Sequence, residues 1–225
     1  RLVSTHDATA PIDAATWAEL AAAEIADARA SGKVPIVCGG TYFWVRALVL
    51  GLAPAPPANA EVRARHRTVV EERGRSALHE ELARVDPAAA ARLHPNDVVR
   101  VSRALEVHEL SGRTMSDWQA AHGFRDQRFA THTVALRHDP ATLTSRIARR
   151  VESWLGGGWI DEVRGLVDAG LGDTRAMGSV GYAEVRAYLA GQISREDLPD
   201  AIVRSTRVFA RRQRTWLNHA DVEWL

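Results

Sequence analysis

Hydrophobic positions recur every three or four residues along most of this chain, which is the spacing of amphipathic helices. Asp13 has the residue type of a helix N-cap and precedes an alanine-rich segment that carries Trp17, Leu20 and Ile25 at helical intervals. Residues 31–33, Ser-Gly-Lys, supply a stop signal. The pattern therefore predicts a first helix between Asp13 and residue 31.

Two short segments have the pattern of strands instead. Residues 34–38 form a continuous apolar run followed by Gly39-Gly40-Thr41, which is typical of a buried parallel strand and its loop, with Cys38 as a buried thiol. A helix through Phe43 and Leu48 follows, and residues 133–136 regain strand character. This order of strand, loop and helix predicts an α/β fold.

The middle of the chain reads as helical throughout. A proline-rich connector at residues 53–59 leads into residues 61–121, which have no strand signal. One helix there opens at residues 95–97, with Val98, Val101 and Leu105 on one face and the arginines of that helix off it. We therefore predict an α/β core over residues 1–57, a helical insertion over residues 58–130, and a return to the core over residues 131–225.

An arginine row marks the last long helical segment. Four arginines fall within an arc of roughly 80° at helical pitch: Arg204, Arg207, Arg211 and Arg214. Three apolar side chains fall on the opposite arc and are expected to anchor the segment in a core: Ile202, Phe209 and Trp216. Guanidinium groups match phosphate oxygens bidentately, so the row suits a polyanion, although a solvated amphipathic helix fits the same pattern.

Composition narrows the class of protein. The 225 residues carry a net charge of +1, so affinity for nucleic acid requires local clusters of arginine. The single cysteine excludes an intramolecular disulfide, and the scattered histidines show no metal-binding spacing. No apolar run approaches the ~20 residues that span a bilayer.

We expect a cytoplasmic, monomeric protein without a membrane segment. Because the chain starts at Arg1, we also expect that an N-terminal portion is missing.

Few side chains suggest chemistry by themselves. Gly39, Gly40 and Thr41 follow a predicted strand, where α/β proteins bind ligands, but taken alone a tight turn with a capping threonine is the favoured interpretation. Arg146 and Arg150 are neighbours at i,i+4 and can clamp one anion. Arginines 63, 65 and 67 suggest a mostly solvated helix face. No pair of carboxylates stands out as a general acid–base couple.

A set of motifs taken together closely resembles the tRNA dimethylallyltransferases, from end to end of the chain. The motifs are Gly39-Gly40-Thr41, Gly51-Leu52-Ala53-Pro54, His94-Pro95-Asn96-Asp97 leading into Arg103-Ala104-Leu105-Glu106-Val107, Gly181-Tyr182, and Thr206-Arg207 through Arg212-Gln213 to Thr215-Trp216. The resemblance implies a P-loop-type parallel-sheet core with a helical insertion. It also implies transfer of a dimethylallyl group from dimethylallyl diphosphate to N6 of adenosine 37 beside the anticodon, assisted by Mg²⁺, with the target base flipped out of its stack.

The resemblance also implies roles for individual residues. Thr41 matches the threonine near the target adenine, and Arg150 matches the arginine that neutralises the leaving diphosphate. Gly39, Gly40 and Arg146 are assigned to cofactor binding. The positions that match contacts to the tRNA anticodon stem-loop are Arg63, Val99, Arg100, Val101, Ser102, Arg103, Gly178, Ser179, Val180, Gly181, Tyr182, Ala183, Arg211, Arg212, Gln213, Arg214, Thr215, Trp216, Leu217 and Asn218.

The front of the family pattern has no match in this sequence. The family opens with a phosphate-binding GxxxxGKS/T loop and a segment with a general-base aspartate, and Lys33 does not belong to such a motif. We therefore expect the chain to be a fragment that is inactive alone, with no metal ligands identifiable in it. The alternatives are a complete, non-catalytic domain that binds structured RNA, and a phosphotransferase that resembles nucleotide kinases.

Overall fold

The computed structural model describes residues 1–10, 12–124 and 127–225. Its helices are α1 (Ala14–Ala30), α2 (Tyr42–Leu50), α3 (Ala60–Val85), α4 (Pro87–Arg92), α5 (Val98–Ser111), α6 (Met115–His122), α7 (Pro140–Gly156), α8 (Trp159–Asp168), α9 (Tyr182–Leu189) and α10 (Leu198–Leu217). Two short strands, β1 (Val134–Ala135) and β2 (Glu223–Trp224), and a 3-10 turn at Arg175–Gly178 complete the elements. The described residues are thus mostly helical.

The chain forms two compact units. Unit 1 consists of Arg1–Val49 and Ala130–Leu225, and unit 2 consists of Leu50–Phe129. The predicted insertion, residues 58–130, begins eight residues later than unit 2 and ends one residue later. The proline-rich connector therefore lies inside unit 2 instead of preceding it.

Unit 1 contains the parallel sheet that the α/β prediction requires. Strand β1 pairs in parallel with β2, with Val134 opposite Glu223 and Ala135 opposite Trp224. The backbone N–H of Arg137 donates to the carbonyl of Leu225 at 2.7 Å and extends the pairing by one bond. A strand at residues 133–136 is therefore confirmed, in a sheet of two strands among the described residues.

The core of unit 1 comes from the helices that follow β1. Nine buried side chains of α7, α8, the 3-10 turn, α9 and α10 form one cluster: Ile147, Val151, Trp159, Ile160, Val163, Met177, Val185, Leu198 and Ile202. The predicted glycine break is confirmed, since α7 ends at Gly156 and α8 begins at Trp159. Asp13 caps α1 as predicted, by accepting a hydrogen bond from the N–H of Thr16 at 2.8 Å.

Unit 2 is helical, as predicted, and has its own core. Its buried cluster consists of Leu78, Leu82, Ala89, Ala90, Val101, Ala104 and Leu105. The predicted cap of α5 is confirmed, because the carboxylate of Asp97 accepts from the N–H of Arg100. Helix α3 bends at Gly74, whose φ of +84° lies outside the helical region. Asn59 begins that helix by accepting from the N–H groups of Glu61 and Val62.

The predicted strand at residues 34–38 is wrong. These residues have no regular secondary structure, and the side chains of Val34 and Ile36 are 86% and 85% exposed. Cys38 is exposed as well, so the expectation of a buried thiol is also wrong. An apolar run becomes a strand only when a neighbouring strand satisfies its backbone groups, and no such pairing exists in the described part of the chain.

The predicted core anchor of α10 is only partly correct. Ile202 is buried, but Phe209 and Trp216 on the same arc are 43% and 48% exposed. Helix α10 packs on α7 and α9, and its buried residues, Leu198 and Ile202, lie in its first two turns. The second half of the helix therefore presents both its arginines and its aromatic rings.

Candidate substrate-binding surfaces

The Gly-Gly-Thr loop of unit 1 lies against α10. A Cβ atom built on Gly40 would stand 2.3 Å from Nε2 of Gln213, so the backbone of Gly40 lies directly against the end of this side chain. Thr41 is exposed, and its carbonyl accepts from the N–H of Trp44 at 2.9 Å where α2 begins. The structure thus joins two motifs that are far apart in the sequence.

A cavity of about 550 Å³ extends along the arginine row of α10. Its basic lining residues are Arg137, His138, Arg204, Arg207, Arg211 and Arg214. Among the described residues that line it, none carries a carboxylate. The guanidinium of Arg137 lies 4.6 Å from the ring centre of Trp224, which fixes its position at the cavity edge. Unanswered positive charge of this density favours a phosphate-bearing ligand.

A second cavity of similar volume, about 550 Å³, opens on α7. It is lined by both members of the predicted clamp, Arg146 and Arg150, and by Arg149 and His138. Nη1 of Arg146 lies 3.1 Å from Nε2 of His138, and the guanidinium of Arg150 stacks 4.8 Å from the ring centre of Trp154. His138 lines both cavities, so the α7 and α10 arginines belong to one basic region.

The C-terminal half of α10 presents most of the residues predicted to contact tRNA. Arg211, Arg212, Arg214, Thr215, Trp216 and Asn218 are exposed, whereas Gln213 and Leu217 are half-buried. The hydroxyl of Thr215 donates to the carbonyl of Arg211 at 3.0 Å, which occupies its proton within the helix. The exposed set forms a continuous surface beside the first cavity.

The turn before α9 is divided between surface and core. Gly178, Ser179 and Val180 are exposed, Ala183 is half-buried, and Gly181 is buried. The hydroxyl of Tyr182 donates to Oε1 of Glu162 at 2.6 Å. That hydrogen bond, together with burial, raises the pKa of the Tyr182 hydroxyl. The predicted contacts at Gly181 and Tyr182 therefore coincide with packing roles, and the exposed residues before them are the accessible ones.

Two arginines of unit 2, Arg63 and Arg103, are held by one carboxylate. Arg63 and Arg103 both donate to Glu106, whose side chain is completely buried. Arg63 is therefore ion-paired and half-buried, whereas Arg65 and Arg67 are exposed and Arg65 pairs at the surface with Glu109. Burial alone would raise the pKa of Glu106, but hydrogen bonds from Arg63, Asn59 and Arg103 outweigh it and keep this pKa below its ordinary value.

The other predicted contacts on α5 differ in accessibility. Val99 is 80% exposed and Arg100 is exposed, but Val101 lies in the core. Ser102 is also buried, and its hydroxyl lies 2.9 Å from Nδ1 of His66, whose other ring nitrogen lies 2.8 Å from Oε1 of Glu109. The side chains of Val101 and Ser102 therefore support the helix, and Val99, Arg100 and Arg103 are the ones that reach solvent.

Glu106 belongs to the motif Arg103-Ala104-Leu105-Glu106-Val107, but the sequence motifs assign it no role. A glutamate placed three residues after Arg103, among the apolar residues Ala104, Leu105 and Val107, was a signal available in the sequence. Charged side chains are almost never fully buried unless they are paired. That position alone thus indicated a buried ion pair.

Among the described residues, no group of three or more histidine, cysteine, aspartate or glutamate side chains is placed to hold a metal ion. Among these residues there is also no helix long and apolar enough to cross a membrane.

Comparison with known proteins gives one consistent result. The family model described as IPP transferase matches residues 1–220. A tRNA dimethylallyltransferase of Sorangium cellulosum is 57% identical over 224 residues, which cover 100% of this chain and 71% of that protein. A tRNA dimethylallyltransferase of Geobacter sulfurreducens is 41% identical, over 94% of this chain and 69% of the relative.

Solved structures show the same relationship. The full-length tRNA isopentenylpyrophosphate transferase of Bacillus halodurans superposes with a TM-score of 0.67 at 30% identity, covering 100% of this chain and 70% of the other. A eukaryotic dimethylallyltransferase acting on tRNA has a TM-score of 0.75 at 23% identity, over 98% of this chain and 58% of the other, and shares the fold. The chain belongs to the family of IPP transferases.

Proposed function

We propose that this protein transfers the dimethylallyl group of dimethylallyl diphosphate to N6 of adenosine 37 in tRNA. The observation that carries this proposal is the basic region of unit 1, in which two carboxylate-free cavities share His138 beside the Gly40–Gln213 contact. A reaction between two phosphate-bearing substrates needs such a region. The similarity to proteins named tRNA dimethylallyltransferase supports it.

The residues of α7 suit the leaving group. In the transfer, N6 of adenine forms a bond to the primary carbon of the dimethylallyl group, and the carbon–oxygen bond to diphosphate breaks with its electron pair. N6 gives up one proton to a general base, the role that the family resemblance assigns to an aspartate. Arg146 and Arg150 line one cavity and supply positive charge where negative charge develops on diphosphate. The stacking of Arg150 on Trp154 holds that charge in place before the substrate arrives.

The exposed residues of α10 suit the RNA. Arg211, Arg212 and Arg214 present guanidinium groups to the phosphate backbone, and Trp216 offers an exposed indole for stacking. Thr41 lies next to Gly40, which touches Gln213 of the same helix. We therefore assign Thr41 to the target adenine and α10 to the stem-loop around it.

The test is nucleoside mass spectrometry on tRNA from cells in which the complete gene is the sole source of this activity. N6-isopentenyladenosine is the expected product, and its absence from tRNA that the protein binds would favour an RNA-binding module without catalysis.

In the same cells and in purified protein, Arg150→Ala should lower turnover at least tenfold, because one charge–diphosphate interaction is lost, with tRNA affinity little changed. Arg164→Ala is the matched control, because Arg164 lies on α8, lines neither cavity and pairs with Asp161 of its own helix. Equal losses of turnover and affinity in Arg150→Ala would contradict its role.

A further inference from the structure

Glu106 is the centre of a charged network in unit 2 that the proposed chemistry does not use. We infer that Glu106 is a positioning residue for tRNA binding, whose carboxylate holds the guanidinium groups of Arg63 and Arg103 in a fixed orientation at the surface. The inference rests on the proposed function, because it requires tRNA as the ligand of these arginines.

Both oxygens of the carboxylate are fully engaged. Oε1 accepts from the backbone N–H of Asn59 at 2.6 Å and from Nε of Arg63 at 2.9 Å. Oε2 accepts from Nη2 of Arg63 at 3.0 Å and from Nη1 of Arg103 at 2.6 Å. Nη2 of Arg103 also donates to the carbonyl of Pro56 at 2.6 Å. Each guanidinium is thereby held by two hydrogen bonds, which fixes its plane as well as its position.

The charges of this network do not cancel. The pKa of Glu106 lies below its ordinary value, so the carboxylate is ionised at neutral pH. Because one carboxylate faces two guanidinium groups, the cluster retains one positive charge. The anion is buried, whereas the side chains of Arg63 and Arg103 are 43% and 29% exposed. The excess charge is therefore accessible from solvent. A phosphate that binds there meets donors that are already ordered, which reduces the entropic cost of binding.

A purely structural role explains only part of this geometry. The bond to Asn59 ties the first turn of α3 to α5, and one arginine would be enough to neutralise the buried carboxylate. The second arginine adds charge that the fold does not need. Both arginines also lie at positions that match tRNA contacts in the family resemblance, on two different helices. The carboxylate of Glu106 accepts hydrogen bonds from both and so connects them.

The decisive variant is Glu106→Gln, tested in protein expressed from the complete gene. Glutamine keeps the size of the side chain but removes one negative charge and so raises the net charge of the protein by one, which by simple electrostatic attraction predicts tighter tRNA binding. Positioning predicts the opposite: a rise in Kd of about tenfold, the loss expected when charge-assisted hydrogen bonds are removed. The slope of log Kd against log salt should fall by up to about one phosphate contact. Glu81→Gln is the matched control, because it adds the same charge beside Arg73, which is outside the predicted contacts.

A second variant keeps the test independent of folding. Arg63→Lys retains the charge at a half-exposed position but cannot form the two-bond fork to Glu106. We expect weaker tRNA binding in Arg63→Lys than in the wild type. In the double variant, the further loss of affinity caused by Glu106→Gln should be much smaller than the loss that Glu106→Gln causes by itself. Wild-type affinity in Arg63→Lys, additive losses in the double variant, or tighter binding in Glu106→Gln would each overturn the positioning role.

The outcomes separate this inference from the proposed function. If the wild type binds tRNA but forms no N6-isopentenyladenosine, the transferase proposal fails. The positioning role of Glu106 is then still tested by the tRNA affinities of the variants. If the wild type forms the modified nucleoside and Glu106→Gln binds tRNA as the wild type does, only the positioning role fails. A wild type that does not bind tRNA overturns both.

Discussion

At the scale of single residues, Gly181 packs directly against the ring of Trp159 in the core of unit 1. Its φ is +94°, and a Cβ atom built there would lie 2.1 Å from Cη2 of Trp159. The ring of Trp159 also packs edge-on against Tyr182 and Trp154, with centroid distances of 5.7 Å and 5.3 Å. The indole therefore has little freedom to yield, and the position requires glycine both for its backbone angle and for space.

We predict that Gly181→Ala destabilises the protein more than Gly191→Ala does. Gly191 also has a positive φ, +73°, but a Cβ atom there meets nothing within 4 Å. In the control, the free energy of unfolding should fall by about 1–2 kcal/mol, because alanine is strained at a positive φ. In Gly181→Ala it should fall by about 1–3 kcal/mol more, because the added methyl group overpacks the core. Urea unfolding measures both free energies. Equal losses would show that Trp159 adjusts without cost.

At the scale of elements, Asp86 connects three helices of unit 2. It follows α3 and caps α4 by accepting from the N–H of Ala89 at 2.9 Å. It also accepts from the N–H and the hydroxyl of Ser116 at 3.0 Å and 2.7 Å, near the start of α6. Burial alone would raise the pKa of Asp86, but the hydrogen bonds from Ser116 and Ala89 outweigh it, so this pKa lies below its ordinary value.

This shift makes a prediction about pH. A carboxylate whose pKa is lower in the folded state stabilises the fold above its unfolded pKa, about 3.9, and loses that contribution as pH falls through its folded pKa. Asp86→Asn should therefore cost about 1–3 kcal/mol at pH 7 and progressively less below pH 4. Urea unfolding from pH 7 to pH 3 measures this, with Asp117→Asn on the surface of α6 as the control. A cost that does not change with pH would contradict the role of the charge.

Helix α10 should contribute to RNA binding through its second half. We predict that Arg211→Ala combined with Arg212→Ala weakens tRNA binding about tenfold or more and lowers the salt slope by up to about two phosphate contacts. Arg164→Ala is the control, since this arginine of α8 pairs with Asp161 of its own helix. Filter binding at several salt concentrations measures both quantities. An unchanged slope would show that these arginines do not contact phosphates.

At the scale of the whole molecule, each unit has a core of its own. The buried cluster of unit 2 consists only of residues between Leu78 and Leu105. The cluster of unit 1 consists only of residues between Ile147 and Ile202. Because burial of apolar surface is the main favourable term in folding, each unit contains the material for independent stability.

We therefore predict that residues 50–129 fold by themselves. The isolated segment should show a helical circular dichroism spectrum and one cooperative unfolding transition in urea. In that segment, Leu82→Ala should lower the free energy of unfolding by about 2–5 kcal/mol, because Leu82 is completely buried. Leu110→Ala, at an exposed position, is the control. A segment without cooperative unfolding would show that unit 2 depends on the rest of the chain.

Local patterns in the sequence predicted most of the elements. The caps at Asp13 and Asp97, the glycine break before Trp159 and the arc of arginines on α10 each depend on residues within three helical turns. The family motifs likewise identified the IPP transferases. Such features follow from the sequence because helix geometry fixes which near neighbours meet.

Only the tertiary structure decided which of these residues are buried and what they contact. It left residues 34–38 unpaired, exposed Phe209 and Trp216, placed Gly40 on Gln213, and buried Glu106 between Arg63 and Arg103. The contacts of Gly40 with Gln213 and of Arg63 with Glu106 join residues that are more than 40 positions apart, and a strand at residues 34–38 would need a neighbouring strand. The sequence alone thus determined the helices, the arginine-rich face and the family. The fold decided which arginines are ordered by a buried charge, since desolvation and ion pairing depend on distances that no local pattern contains.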